Sequence, residues 1–346
     1  MKWTQTQKSR IRAVGLLLAA TAFVALVAPG AAQAELKRIT IGTNAAGTLY
    51  NQIGTVVSTL LQKQTGIPTA PRPFAGTSVY LPKLQRGEID FGLNSALDAS
   101  IAYSGQDEYK QPLNKVRGVM MIARAYYAFY AKASSGLKSV ADLKGKPVVM
   151  SYRAIASFDK VNDAVIASAG LTPKDVKSVV VSGIPDTVRA IVDNRVVAGA
   201  AIIGIPMLRE ADAAVSGGLQ VLTLGPNEKE IDNLAGFEAV TIKPGPAYVG
   251  VKSPMKVARF SVFLNTGAHL SADDVYKVVK TIHQNWETMR KEVPALRAIS
   301  AKELAPVNFG HPYHEGAIRY FKEAGLWTPA HQARQDALLK MEHMQK

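Results

Sequence analysis

Apolar positions along the chain recur with two periods, and the two alternate. The run KRITIG (residues 37–42) is short and β-rich and predicts a strand. The loop Thr43–Thr48 follows, and then Leu49, Ile53, Val56, Val57, Leu60 and Leu61 fall at the spacing of one helix face, with Gly66 as the stop. A second unit has the turn Ala75-Gly76-Thr77-Ser78, a short helix to Arg86, a stop at Gly87 and a strand over Ile89–Leu93. The middle of the chain repeats the plan. A strand at Pro147–Met150 and a loop at Ser151–Ser157 precede a helix striped by Phe158, Val161, Val165 and Ile166 and stopped at Gly170. The turn Ser182–Asp186, a helix to Asp193, a stop at Asn194 and a strand over Val196–Ile203 complete it.

Gly76 then falls on Gly183, Leu84 on Ile191, Gly87 on Asn194 and Gly92 on Gly199, all at an offset of 107, while Ile41 falls on Val149 and Tyr50 on Phe158 at 108. Two units keeping nearly one offset predict two similar α/β lobes, each a mostly parallel sheet flanked by helices. Ligands of such sheets bind beyond the carboxyl ends of the strands, so facing lobes put both sets of loops around one cleft. The β-rich, aromatic stretch Val116–Lys132 reads as the first crossover, and the return is expected after Val221–Leu224, near Gly225-Pro226. Farther on, Val257–Leu264 predicts a strand. Ser271 and Asp274 form a capping box for one long helix faced by Val275, Val278, Val279, Ile282, Trp286 and Met289. A last helix is expected from Pro312 to Ala324, stopped by Gly325.

Composition adds a compartment. Lys2, Lys8, Arg10 and Arg12 precede an apolar run, Ala13–Val27, and Ala32-Gln33-Ala34 reads as a cleavage site, so residues 1–34 are expected to be a signal peptide. Export to the periplasm of a Gram-negative cell follows, with residues 35–124 plus 226–346 as lobe 1 and 125–225 as lobe 2. The chain has no cysteine, which excludes a lipoprotein anchor, disulfides, thiol catalysis and cysteine metal sites. The leader holds four of the 41 basic residues and none of the 27 acidic ones, so the remaining 312 residues keep a formal excess of ten positive charges. Those charges are scattered, without a basic run, which argues against nucleic acid and leaves a solvated surface or mild steering of anions.

Four stretches in order resemble the TAXI family (TRAP-associated extracytoplasmic immunogenic proteins), the solute receptors of one class of TRAP transporter: ITIGTNAAGTLY (39–50), FAGTSVYLPKLQRGEIDFGL (74–93), SVADLKGKPV (139–148) and HPYHEGAIRYFKEAGLW (311–327). The resemblance implies a two-lobed, type II-like periplasmic-binding-protein fold that acts by hinge closure. It implies partnership with TRAP membrane subunits, and as ligand an amino acid such as glutamate, or a related dicarboxylate or oxo acid. Two segments depart from the family pattern: the loop Ser151–Ser157, and Asn94 with Asp98 where a glutamine and aspartate pair is usual. A sensor module presenting ligand to a membrane kinase is the alternative.

Candidate ligand contacts lie on the loops expected at the cleft. Asn44, Gly47, Thr48 and Tyr50 surround a helix N-terminus, whose free N–H groups suit an anion, although the glycine could serve the turn alone. Gly76, Thr77 and Ser78 either cap their helix or present donors to the cleft, and Asn94, Ser95 and Asp98 follow a strand end. In the opposing lobe Arg153 could hold a carboxylate with two parallel hydrogen bonds, Tyr152 and Tyr248 could wall the cleft, and Ser157, Gly204 and Pro206 flank it. No catalytic motif is found, so a binding protein without cofactor, and a monomer, is expected. His311-Pro-Tyr-His314-Glu315 is neither H-E-x-x-H nor H-x-x-E-H, which favours capping and packing over metal ligation.

Overall fold

Strand β1 (Ile39–Thr43) forms on the first β-rich run and feeds helix α1 (Leu49–Thr65), which Gly66 ends by turning left-handed at φ 74. Strand β2 (Thr69–Pro73), helix α2 (Thr77–Gln85), strand β3 (Phe91–Ser95) and helix α3 (Ala96–Ser104) follow, and β1 lies between β2 and β3, parallel to both. The computed structural model describes residues 36–344, so the signal-peptide reading of residues 1–34 falls outside the described residues. Among the described residues no helix is long and apolar enough to cross a membrane.

After the 17-residue strand β4 (Val116–Lys132) the same plan returns. Strand β5 (Pro147–Tyr152), helix α4 (Ser157–Ala167), strand β6 (Lys177–Val181), helix α5 (Ile184–Val192), strand β7 (Ala198–Ile202) and helix α6 (Pro206–Ala214) run in order, and β5 lies between β6 and β7, parallel to both. The strand orders β2-β1-β3 and β6-β5-β7 are therefore equivalent. The offset of 107 has a steric cause. A side chain at Gly92 would press on the Tyr80 ring at 3.2 Å, and one at Gly199 would meet Thr187 Cγ2 at 2.5 Å. Tyr80 and Thr187 are separated by the same 107 residues, so each unit keeps a glycine where its helix lies tightly on its sheet.

Strand β8 (Leu219–Val221) pairs with β4, helix α7 (Lys229–Asp232) follows, and strand β9 (Phe237–Ile242) pairs with the long strand β10 (Met255–Gly267). Strand β10 runs antiparallel to β3 on one side and to β4 on the other. Strand β4 is shared between the two halves of the sheet: Val116–Tyr127 pairs with β10, and Tyr127–Ala131 with β7. The register fixes where the halves meet. Ser95, the last residue of β3, lies opposite Val262, whose other neighbour is Ala123, while Ile202, the last residue of β7, lies opposite Tyr127. Because β7 runs against β4 and β3 runs with it, the carboxyl ends of β3 and β7 converge on Ala123–Tyr127. An aromatic cluster backs this junction: Phe158 lies 4.7 Å from Tyr127 and 6.4 Å from Phe260, which stacks on Phe237 at 5.0 Å.

Several elements differ from expectation. The helix expected over residues 271–289 is broken into α8 (Ala272–Gln284) and α9 (Trp286–Glu292) at Asn285, whose side chain donates to Thr281 O at 2.9 Å. Ser271 caps α8 as its spacing indicated, accepting from the Asp274 N–H at 3.0 Å. Helix α10 (Glu315–Glu323) begins at Glu315 rather than Pro312 because His314 is its cap. It is not the last helix, since α11 (Pro329–Met344) follows. Helix α11 lacks a broad apolar stripe and docks partly through polar side chains: Gln335 accepts from Tyr313 N at 2.8 Å and donates to Tyr313 O at 3.1 Å, and His331 meets Ala305 O at 3.0 Å. Strand β2 carries Pro71 and Pro73, which conceal it in the sequence but which a strand at the sheet edge tolerates.

Candidate functional site

On one side of the junction the two halves touch directly, and Asp98 lies at the centre of the contact. This carboxylate is 3% exposed. One oxygen accepts from the N–H and hydroxyl of Ser95 at 3.0 and 2.7 Å, completing the cap of α3. The other accepts from Thr77 Oγ1 at 2.9 Å and from Ser157 Oγ, which belongs to the other half. Burial raises the Asp98 pKa above the ordinary carboxylate value, against the pull of those hydroxyls. Around it Ser78 N donates to Ala154 O at 3.1 Å, Ala156 N donates to Ser78 Oγ at 3.2 Å, and Lys160 pairs with Asp107 at 3.1 Å. Gly76 permits this approach, since a Cβ there would lie 2.1 Å from Ala154 O.

On the other side of the junction a cavity of about 340 Å³ opens. Its wall takes Leu49 and Gln52 from the first turn of α1, Arg124 and Tyr126 from β4, Ile202–Gly204 from the end of β7, and the turn Gly245–Tyr248. The segment Val293–Ala295, with Arg297 and Ala298, closes it. Ala125 lies between Arg124 and Tyr126 in the wall, and the flanking Ala123 and Tyr127 are fully buried. Tyr126 and Tyr248 meet edge to face, their ring centroids 5.7 Å apart. Helix α1 has no acidic residue in its first turn, so its positive end is uncompensated where it borders the cavity.

The predicted residues divide between these two sides. Gly76, Thr77, Ser78, Ser95, Asp98 and Ser157 form the contact between halves. Tyr248 and Gly204 line the cavity, and Pro206 opens α6 beside it. Gly47 faces the second half, its Cβ position 3.4 Å from Met207 Cε. Thr48 turns its hydroxyl back to Ala45 O at 2.6 Å, and Asn44 Oδ1 and Tyr50 Oη are buried without a hydrogen-bond partner among the described residues. Asn94 is fully buried and held by Asn265 Nδ2 at 2.8 Å, away from the cavity. Tyr152 packs inside the second half, donating to Ala200 O at 2.6 Å. Arg153 is exposed and stands outside the cavity wall.

Sequence reasoning passed over Arg124, Gln52, Tyr126 and residues 293–298. For Arg124 a signal existed: it is the one cation between Arg117 and Lys132 in the otherwise apolar crossover Val116–Lys132. Residues 293–298 carry no motif and reach the cavity only through the fold. Among the described residues no group of three or more His, Asp or Glu could hold a metal ion. His314 Nδ1 accepts from Gly316 N at 3.2 Å as the cap of α10, and His311 Nε2 meets Asn265 Oδ1 at 2.6 Å, so both histidines serve packing and capping.

Residues 41–325 match the family model described as the NMT1-like family. Among solved structures, the chain is similar to MatC from Rhodopseudomonas palustris with bound malate, at 13% identity and a TM-score of 0.56, over 87% of this chain and 98% of that one. It is also similar to PhnD1 from Prochlorococcus marinus in complex with methylphosphonate, at 9% identity and a TM-score of 0.52, over 84% of this chain and 99% of that one. At such identities the likeness establishes the fold: a mixed α/β sheet, parallel within each three-strand unit and flanked by helices, the architecture of periplasmic solute-binding proteins.

Proposed function

The chain belongs to the NMT1-like family, and from that premise we propose that it is an extracytoplasmic receptor that captures a small organic anion between its two halves. One observation carries the reading: the carboxyl ends of β3 and β7 meet on a single shared strand at Ala123–Tyr127, beside a cavity of ligand size. The malate and methylphosphonate held by two proteins of the same fold are both small anions, which agrees with an arginine in the wall and an uncompensated helix N-terminus.

The lobes in this reading are residues 35–124 with 226–346, and residues 125–225. They open and close by bending β4 and β10, and ligand favours the closed form because only that form contacts it from both sides. The closed receptor then delivers its cargo to membrane subunits of a TRAP transporter, as the TAXI-like segments suggest, in the periplasm. Nothing in this cycle calls for chemistry on the ligand.

The test is mass spectrometry of small molecules released when the purified protein is denatured, followed by calorimetric titration of whatever is found. A stoichiometric anion that rebinds supports the receptor. A protein that releases nothing, and whose melting temperature no carboxylate, phosphonate or sulfonate shifts, sinks it.

A further inference from the structure

The cavity wall specifies its cargo more narrowly, given the receptor reading above. Two of its lining residues are arginines, one is a glutamine and two are tyrosines; none is acidic, and the others are aliphatic, proline or glycine. The two arginines are not equivalent. Arg297 is exposed, with Nε and Nη2 given to the carbonyls of Arg290 and Lys291 at 3.2 and 2.8 Å. Arg124 uses only Nη1 among the described residues, donating to Glu303 Oε1 at 2.9 Å. Glu303 is itself pinned, because its other oxygen accepts from the N–H and hydroxyl of Ser300 at 2.9 and 3.0 Å. It lies outside the wall and holds one end of the guanidinium, leaving the remaining donors for a second carboxylate.

We propose that the cargo is a monocarboxylate with a compact apolar body, its carboxylate on Arg124 and its body against Tyr126, Tyr248, Leu49 and Ile203. Arg124 is already paired with Glu303 and Arg297 donates only to carbonyls, so the two arginines and Glu303 together leave one positive charge uncompensated, which one carboxylate balances. An amino acid would bring an ammonium group into a wall with no carboxylate to receive it, and a dicarboxylate would bring a second anion that no remaining positive charge of the wall balances; either leaves a charge desolvated and unpaired. A flat or branched apolar body matches the rest of the wall, and the edge-to-face tyrosine pair offers ring surface for stacking. This departs from the glutamate that the family resemblance implies.

The experiment is calorimetric titration of the purified, ligand-stripped protein with four probes: benzoate, 4-methyl-2-oxopentanoate, L-glutamate and malate. The first two are expected to bind at least about 10-fold more tightly than the last two, and Arg124→Gln to weaken them by about 10- to 100-fold, the loss of a charged bidentate pair. Arg124→Lys keeps the charge without the fork and should fall between, and Tyr248→Leu should weaken benzoate more than 4-methyl-2-oxopentanoate. Glutamate or malate binding as tightly as the monocarboxylates, or unchanged monocarboxylate affinity in a folded Arg124→Gln protein, overturns the proposal and leaves the receptor reading intact. If mass spectrometry finds a different bound anion and all four probes fail, only the cargo class falls; if nothing binds and nothing is released, both readings fall.

Discussion

His311 and His314 sit 1% and 4% exposed, and burial is the largest influence on each. It lowers the His311 pKa from 6.5 to about 3, with the charge of Arg117 adding to the effect. It lowers His314 to about 4, outweighing the bond to Leu270 O. Protonating His314 would put a hydrogen on Nδ1, where the Gly316 N–H already points, and so destroy the cap of α10. His311 begins a chain of amides: it meets Asn265 Oδ1, Asn265 donates to Asn94, and Asn94 donates to Ser95 O at the cap of α3. Both rings are neutral in the folded protein and bind protons in the unfolded chain below pH 6.5. Their stabilisation is therefore complete above that value and is lost as pH falls toward 3–4. From pH 7 to pH 5 each ring should lower unfolding free energy by about 2 kcal/mol. Asp98 works with the opposite sign: its raised pKa gives stability at low pH that is lost as pH rises through the folded value. Urea unfolding at pH 7 and 5 measures the balance. His311→Gln should reduce the acid-induced loss by about 2 kcal/mol; an unchanged slope would mean that the ring is not buried as a neutral base.

Helix α2 and the loop before α4 form a close backbone approach between the halves, and glycine is what allows it. In Gly76→Ala the new methyl would lie 2.1 Å from a backbone carbonyl and 2.5 Å from Ile155 Cγ1, so the helix must withdraw. The bonds from Ser78 N to Ala154 O and from Ser157 to Asp98 would go with it. The expected outcome is a larger radius of gyration by X-ray scattering with ligand present, and affinity weaker by about 10-fold or more, the cost of losing one or two such bonds. A variant equally compact and equally tight would show that this contact does not govern closure. The same elements show what the sequence could and could not convey. The repeat was legible because both units meet the same steric demand, Gly92 under Tyr80 and Gly199 beside Thr187, and side-chain identity records it. The latch was half legible: Thr77, Ser78, Asp98 and Ser157 stood out as polar residues at loop ends, but the Ala154 carbonyl that completes it is backbone, on which residue identity is silent. Arg153 attracted notice as a cation in the right loop, whereas Arg124, the cation in the cavity, lay within a strand that read as crossover.

At the scale of the whole molecule, β4 and β10 replace a linker. They pair from Val116↔Gly267 to Tyr127↔Ala258, so each half of the sheet is completed by strands that continue toward the other. In the proposed receptor cycle, that arrangement would confine relative motion to bending and twisting of a two-stranded ribbon. It also explains why the loops at the carboxyl ends of β3 and β7 register with one another: the hydrogen-bond ladder that carries Ser95 also carries Ile202, with only Ala123–Tyr127 between them.

The shared ribbon also sets an order on synthesis. Residues 116–126 leave the ribosome long before their partners at 259–267, and pairing segments so distant in sequence is slow. Until β10 arrives, the nascent chain exposes a mostly apolar strand edge, VRGVMMIARAY, which is a template for pairing with other chains. A chain ended just before Met255 is therefore expected to aggregate, and co-expressing residues 255–346 as a separate piece to restore part of its solubility. Sedimentation of the fragment alone and with its complement would measure the difference; a fragment that stays monomeric alone would show that β4 does not depend on β10 for shelter.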